Sequence, residues 1–167
     1  ALYDVVSQSK SDGEDVEFYV QQAKKVDGKV LEVACGTGRI YLKMLEQGVD
    51  AYGIDISGAM LEKLREKAEE RGLEPKVEKA NMQEFDLEEK FSLMTIPYRS
   101  FHHNLNVDDQ LATLETIYKH LQEDGQLILN FYCPDFEFIS ENYGKEIRSD
   151  IEGHPDLELV EYTEIVD

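Results

Sequence analysis

Cysteine, basic residues and long apolar runs are all scarce in this chain, and each shortage excludes something. The 167 residues hold two cysteines, Cys35 and Cys133, far apart and in no C-x-x-C pattern. They read as reduced thiols, not as a disulfide framework or a zinc site. Lys and Arg total 17 against 36 Asp and Glu, a formal net charge of −19. A general nucleic-acid surface needs clustered cations to displace phosphate counterions; with no basic run, nucleic acid is disfavoured as a partner. The acidic surplus reads as a solvated, self-repelling surface. No apolar run approaches the ~20 residues of a membrane span, and the amino terminus lacks the basic-then-apolar layout of a signal peptide. The expected setting is the cytoplasm, with no membrane partner. Histidines offer no ligand spacing: His102 and His103 are neighbours that extended backbone would point opposite ways, His120 falls on a helix and His154 in a polar loop. No metal is expected.

What is present is an ordinary globular composition, 41% apolar and 32% charged, in a length suited to one domain. Apolar periodicity predicts a helix over 14–26, capped by Asp12 or Asp15, with Val16, Tyr19, Val20 and Ala23 inward. Strands follow at 29–34, 49–54, 75–80, 91–96 and 126–132. The intervening helices are 39–47, 58–71 and 107–121. Ser57 caps the second of these, with Met60, Leu61, Leu64 and Ala68 on its apolar stripe. The last turns Leu111, Leu114, Ile117, Tyr118 and Leu121 inward. Five strand–helix alternations imply a parallel sheet covered on both faces. Residues 98–106 are expected to be irregular, 134–142 to form one or two helical turns, and 144–155 to be polar and loose.

The organising stretch is Val30-Leu-Glu-Val-Ala-Cys-Gly-Thr-Gly-Arg-Ile40: a strand that turns through Gly36 and Gly38 and opens a helix. Asp55 ends the next apolar run. A strand, a Gly turn and a downstream acid suit an adenosine-containing ligand, the acid accepting from two ribose hydroxyls. A dinucleotide would call for a third glycine and a pyrophosphate on the helix terminus, but Tyr41 stands at that third position. Glu32, ahead of the turn, would repel a pyrophosphate and attract an ammonium or sulfonium. A NAD-dependent oxidoreductase is therefore the weaker alternative.

With these residues in view, the chain resembles the class I S-adenosylmethionine-dependent methyltransferases, in particular their small-molecule branch, over nearly its whole length. Glu32-Val-Ala-Cys-Gly-Thr-Gly38 is similar to the family's first motif, which implies Glu32, Ala34, Cys35, Gly36, Thr37 and Gly38 around the methionine part of the cofactor. Tyr52-Gly-Ile-Asp-Ile-Ser57 resembles the second, implying Asp55 at the ribose with Ile56 and Met60 close by. Ala80-Asn-Met-Gln-Glu-Phe85 resembles the third, implying Asn81, Met82 and Gln83 near the adenine. Met94-Thr-Ile-Pro-Tyr-Arg-Ser-Phe101 resembles the fourth, placing Pro97 and Tyr98 beneath the methyl group. Tyr3-Asp4 resembles an amino-terminal lid, and Leu121-Gln-Glu-Asp-Gly-Gln-Leu127 the turn into the fifth strand. Two departures stand out: Ala34 replaces the motif's first glycine, and Asn81 replaces the adenine-facing acid, keeping an acceptor oxygen without its charge.

The resemblance implies a Rossmann-like, doubly wound α/β fold as a single domain: an amino-terminal lid and helix over 1–26, a cofactor-binding core over 29–133 and a partial acceptor-site region over 134–167. It implies S-adenosylmethionine as cofactor and a small-molecule methyl acceptor, with His103 as substrate contact or base. The alternative is a non-catalytic module that binds the cofactor or an adenosine metabolite. The family's closing antiparallel hairpin looks incomplete, since only the stretch from Leu157 to Asp167 reads as a strand. That lone strand suggests either a piece of a longer protein or pairing with another chain, as in a homodimer.

Overall fold

In the computed structural model of the chain, which describes residues 13–151 and 154–162, the expected alternation of strand and helix is present. The chain groups into two compact units, residues 15–131 and residues 1–14 with 132–167. Helix α1 (Glu14–Ala23) leads into β1 (Val30–Val33), α2 (Tyr41–Glu46), β2 (Ala51–Asp55), α3 (Gly58–Glu70) and β3 (Lys76–Lys79). Then come β4 (Phe91–Ile96), a 3-10 turn (Ser100–His103), α4 (Val107–His120) and β5 (Leu121–Leu129). The five strands pair in parallel in the order β3-β2-β1-β4-β5. Strand order reverses between β1 and β4, and the carboxyl ends of strands at such a switch point open into a crevice.

Every residue of β1 and of β4 is buried, which is why neither segment alternates in sequence. Side chains still alternate between two cores. Val30 and Leu93 pack with Tyr19, Val20, Leu42, Met44, Leu61 and Leu64 on one face. Leu31, Val33, Met94 and Ile96 pack with Phe85, Phe101 and Ile117 on the other. Tyr41, the residue standing where a dinucleotide fold wants glycine, is fully buried. Its hydroxyl donates to the Ala51 carbonyl at 3.1 Å and accepts from the Lys76 amide at 2.8 Å, tying α2 to β2 and β3. Ser57 caps α3 through the Met60 amide, and of the expected stripe Leu61, Leu64 and Ala68 are buried while Met60 is half-buried.

Besides β5, which runs over Leu121–Leu129 instead of 126–132 and takes in the stretch expected to turn, two expectations fail. First, α4 does not turn its leucines inward: Leu111 and Tyr118 are 52% and 80% exposed, while Thr113, Thr116, Ile117 and His120 are buried. The polar members of that face have specific partners, with Thr116 Oγ1 donating to the Gln83 carbonyl at 2.8 Å and the Leu87 amide donating to His120 Nε2 at 3.1 Å. Periodicity counts apolar side chains and is blind to such bonds. Second, residues 144–155 are not loose. In the second unit, α5 (Phe136–Asn142) is followed by β6 (Glu146–Ile151), which pairs antiparallel with β7 (His154–Tyr162). The hairpin is present as a small two-stranded sheet, and the strand that looked partnerless finds its partner within the chain. The polar composition of β6 concealed it, because ladder hydrogen bonds come from the main chain whatever the side chains. β7 also starts earlier than the apolar pattern indicated. Among the described residues no helix is long and apolar enough to cross a membrane, and no group of potential metal ligands occurs.

Candidate functional site

The turn after β1 is built almost wholly from backbone. Its chain path needs left-handed residues at Ala34 (φ 59), Gly36 (φ 54) and Gly38 (φ 85). The Cys35 amide donates to the Ile54 carbonyl and the Gly38 amide to the Cys35 carbonyl, each at 3.0 Å. Asp55 closes the arrangement from β2: Oδ2 accepts from the Gly36 amide and Oδ1 from the Ser57 amide, both at 2.8 Å. Asp55 thus serves both the glycine turn and the entry to α3, and each oxygen keeps a second lone pair. The two glycines do different work. A Cβ on Gly36 would meet nothing within 4 Å, whereas one on Gly38 would lie 2.8 Å from Leu42 Cγ and 2.9 Å from Leu64 Cγ. Gly36 leaves an open approach to backbone; Gly38 lets two helices close on the turn. Ala34 has no such freedom, and a left-handed L-residue costs roughly 1–2 kcal/mol.

Beneath the turn Glu32 is 2% exposed, and its Oε2 has no hydrogen-bond partner among the described residues. Burial pushes its carboxyl up to about 8, opposed by the Arg39 guanidinium and reinforced by Asp55. On β4, in register with Glu32, stands Thr95, fully buried and with Oγ1 likewise unpartnered among the described residues. Arg39 forms a two-pronged ion pair with Asp15 of α1 (Nη1 to Oδ1, 2.9 Å) and lies over the Tyr98 ring at 5.0 Å. Asp15 therefore commits its carboxylate to Arg39 as well as to the Val16 amide. Cys35 is buried and its thiol pushed up by that burial, so it contributes main chain only.

The remaining expected residues sit around this centre in varied states. Ile56, directly after Asp55, is 67% exposed. Met60, Asn81, Met82 and Gln83 are half-buried, Thr37 and Pro97 buried. Asn81 Oδ1 accepts from the Gln83 amide at 3.2 Å, so one of its lone pairs is used locally. After β4 the chain makes two consecutive left-handed residues, Tyr98 (φ 53) and Arg99 (φ 63), a strained passage of the kind that collects at functional sites. His102 and His103 follow on the 3-10 turn, not on extended backbone. His102 Nδ1 lies 3.2 Å from the Arg99 carbonyl, and His103 is exposed. Tyr3 and Asp4 lie outside the described residues.

Bonds unite the Glu-Gly turn with Asp55, and a separate network unites residues 81–83 with α4 through Asn104. Asn104 is 2% exposed; its Oδ1 accepts from Gln83 Nε2 at 3.0 Å and Thr113 Oγ1 at 3.2 Å, while Nδ2 donates to the Phe101 carbonyl at 3.1 Å and to Met82 Sδ at 3.3 Å. Sequence reasoning missed Asn104, Thr95 and the Arg39–Asp15 pair. Nothing in their spacing singled them out; each acquires its role from an element distant in the chain.

Residues 30–125 match the family described as "Methyltransferase domain". Among relatives, the chain is 31% identical over 132 residues to the glycine/sarcosine N-methyltransferase of Halorhodospira halochloris, covering 77% of this chain and 48% of that one. It is 27% identical over 134 residues to the cypemycin N-terminal methyltransferase of Streptomyces sp, covering 80% and 53%. The chain spans about half the length of these relatives. The fold is shared with an S-adenosylmethionine-dependent methyltransferase from Clostridium acetobutylicum ATCC 824, with a TM-score of 0.75, 21% identity, and coverage of 90% of this chain and 63% of that one.

Proposed function

This chain belongs to the methyltransferase-domain family, and we propose that it binds S-adenosylmethionine and transfers its methyl group to a small-molecule amine. The observation that carries the reading is the buried Glu32 carboxyl, whose Oε2 has no partner among the described residues, under a glycine turn whose Gly36 is open to approach. A buried carboxyl without a partner is costly, and a cationic amino-acid end is the chemistry that would satisfy it. A pyrophosphate would aggravate it. Tyr41, being core, also argues against a dinucleotide.

In this reading Asp55 uses its remaining lone pairs for the two ribose hydroxyls. Ile56, Met60 and Met82 supply apolar surface for the adenine, with Asn81 and Gln83 at its polar edge. Pro97 and Tyr98 border the methyl group. When bound, the cofactor supplies a methyl group already activated on a sulfonium, so the protein's part is placement; well-oriented pairs reach effective molarities of about 10⁵–10⁸ M. A neutral amine needs only an acceptor for the proton it sheds, which His103 or water can provide. The amine preference is supported by the activities for which the two relatives are named, both N-methyltransferases. Two free thiols fit a cytoplasmic setting.

The test is calorimetry with S-adenosylhomocysteine and NADH, followed by a screen of amines for homocysteine-linked turnover. The homocysteine conjugate should bind and Asp55→Ala should weaken it by roughly 1.5–3 kcal/mol, the worth of a charge-assisted hydrogen bond. NADH binding without S-adenosylhomocysteine binding would sink the proposal. Binding without turnover of any amine would leave a non-catalytic cofactor-binding module.

A further inference from the structure

Two buried polar side-chain atoms lack a hydrogen-bond partner among the described residues, Glu32 Oε2 and Thr95 Oγ1. They are not scattered. Glu32 and Thr95 are register partners on adjacent parallel strands, β1 and β4, so their side chains leave the sheet side by side on one face, with backbones about 4.8 Å apart. Val30 and Leu93, two residues earlier on each strand, place that face in the core under α1, α2 and α3. The pair lies at the carboxyl end of β1, next to the glycine turn, where strand order reverses.

The groups around the carboxyl are mostly of its own sign or neutral. Asp55 faces it from β2, Tyr19 from α1, Cys35 from the glycine turn and Tyr41 from the start of α2. Among the described residues Arg39 is the one cation acting on it, and that guanidinium is already engaged by both oxygens of Asp15. β4 contributes only the neutral hydroxyl of Thr95.

Resting on the cofactor reading above, we propose that Glu32 and Thr95 form a proton-exchanging seat beneath the glycine turn. Without the cofactor's ammonium beside it, the Glu32 carboxyl is held as the neutral acid. Arrival of the cofactor's ammonium end ionises it: the O–H bond breaks, the proton leaves to solvent, and the Thr95 hydroxyl donates to the carboxylate oxygen left behind. Cofactor binding is thereby coupled to release of a proton. The direction agrees with the raised carboxyl, which burial pushes up to about 8. Thr95, which the sequence showed only as part of the fourth motif-like stretch, becomes a binding residue.

The experiment is calorimetric titration of the full chain with S-adenosylhomocysteine, which carries the ammonium but cannot react, at pH 7 in phosphate and in Tris. These buffers differ widely in protonation enthalpy, so the difference in heats counts protons. Most of one proton per site should be released at pH 7, because the carboxyl is pushed up to about 8 and is still largely protonated there. Affinity should rise roughly tenfold per pH unit from 6 to 7.5 and flatten above 8. Glu32→Gln should abolish the buffer dependence, and Thr95→Val should weaken binding roughly three- to tenfold at pH 8, where the carboxylate loses its donor. Binding with buffer-independent heats in the wild type overturns the proton seat and leaves the cofactor reading intact. A Thr95→Val affinity equal to the wild type's overturns the part given to Thr95. Absence of any binding overturns the cofactor reading itself.

Discussion

Two polar centres in this molecule are built alike and end differently. Around Asp55, the glycine turn and the start of α3 are drawn together by a nearly buried carboxylate. Around Asn104, residues 81–83, the 3-10 turn and α4 are drawn together by a buried amide. The Asn104 centre is closed: its oxygen accepts twice and its nitrogen donates twice, all within the protein. The Asp55 centre is open. Spare lone pairs remain on Asp55, no described atom stands over Gly36, Ile56 is exposed, and Glu32 and Thr95 have buried atoms without partners. Folding alone gives no reason to leave such groups unmet, because an unsatisfied buried polar atom costs about 1–3 kcal/mol. The difference separates a network that exists for the fold from one prepared for something that arrives later.

The contrast can be broken most sharply at Glu32. Burial pushes its carboxyl from the 4.5 of a free glutamate up to about 8 in the folded protein. A raised folded-state value means that the native protein holds a proton the unfolded chain has lost. Stability attributable to Glu32 is thus full below pH 4.5 and disappears as pH rises through 8, by up to about 4–5 kcal/mol. Thermal melts of the ligand-free protein against Glu32→Gln should show this slope in the wild type alone. Parallel pH profiles for the two proteins would place Glu32 among ordinary, satisfied residues.

At the closed centre, Asn104→Ala should cost about 2–4 kcal/mol in chemical denaturation, since Gln83 and Thr113 lose their acceptor together. A loss below about 1 kcal/mol would mean the network is not cooperative. The smallest effect is a gain. Ala34→Gly should stabilise the folded protein by about 1 kcal/mol, because Ala34 holds a left-handed backbone that glycine adopts without strain. A loss of stability there would show that the Ala34 methyl packs usefully enough to offset the strain.

Much of the open centre was legible in the sequence. Glu32, Gly36, Gly38 and Asp55 stand at the ends of two predicted strands, and a strand end in a parallel sheet has a known neighbourhood. Asn104 carried no comparable signal. It lies in a stretch read only as irregular, and its partners come from residues 82–83, 101 and 113. The same blindness produced the wrong face for α4, where buried Thr113, Thr116 and His120 displaced the leucines that periodicity favoured. It also concealed β6, whose pairing depends on main chain that composition does not describe.

The succession of strands and helices along the chain, the location of the glycine turn and the identity of the acid beyond it follow from local pattern, because apolar runs and glycines act on the backbone next to them. Whether a polar side chain is engaged or spare follows from neighbours far away in the chain. Thr95 illustrates the limit: in the sequence it is one residue of an apolar strand, and only the register of β4 against β1 sets it beside Glu32 and leaves both waiting for a partner.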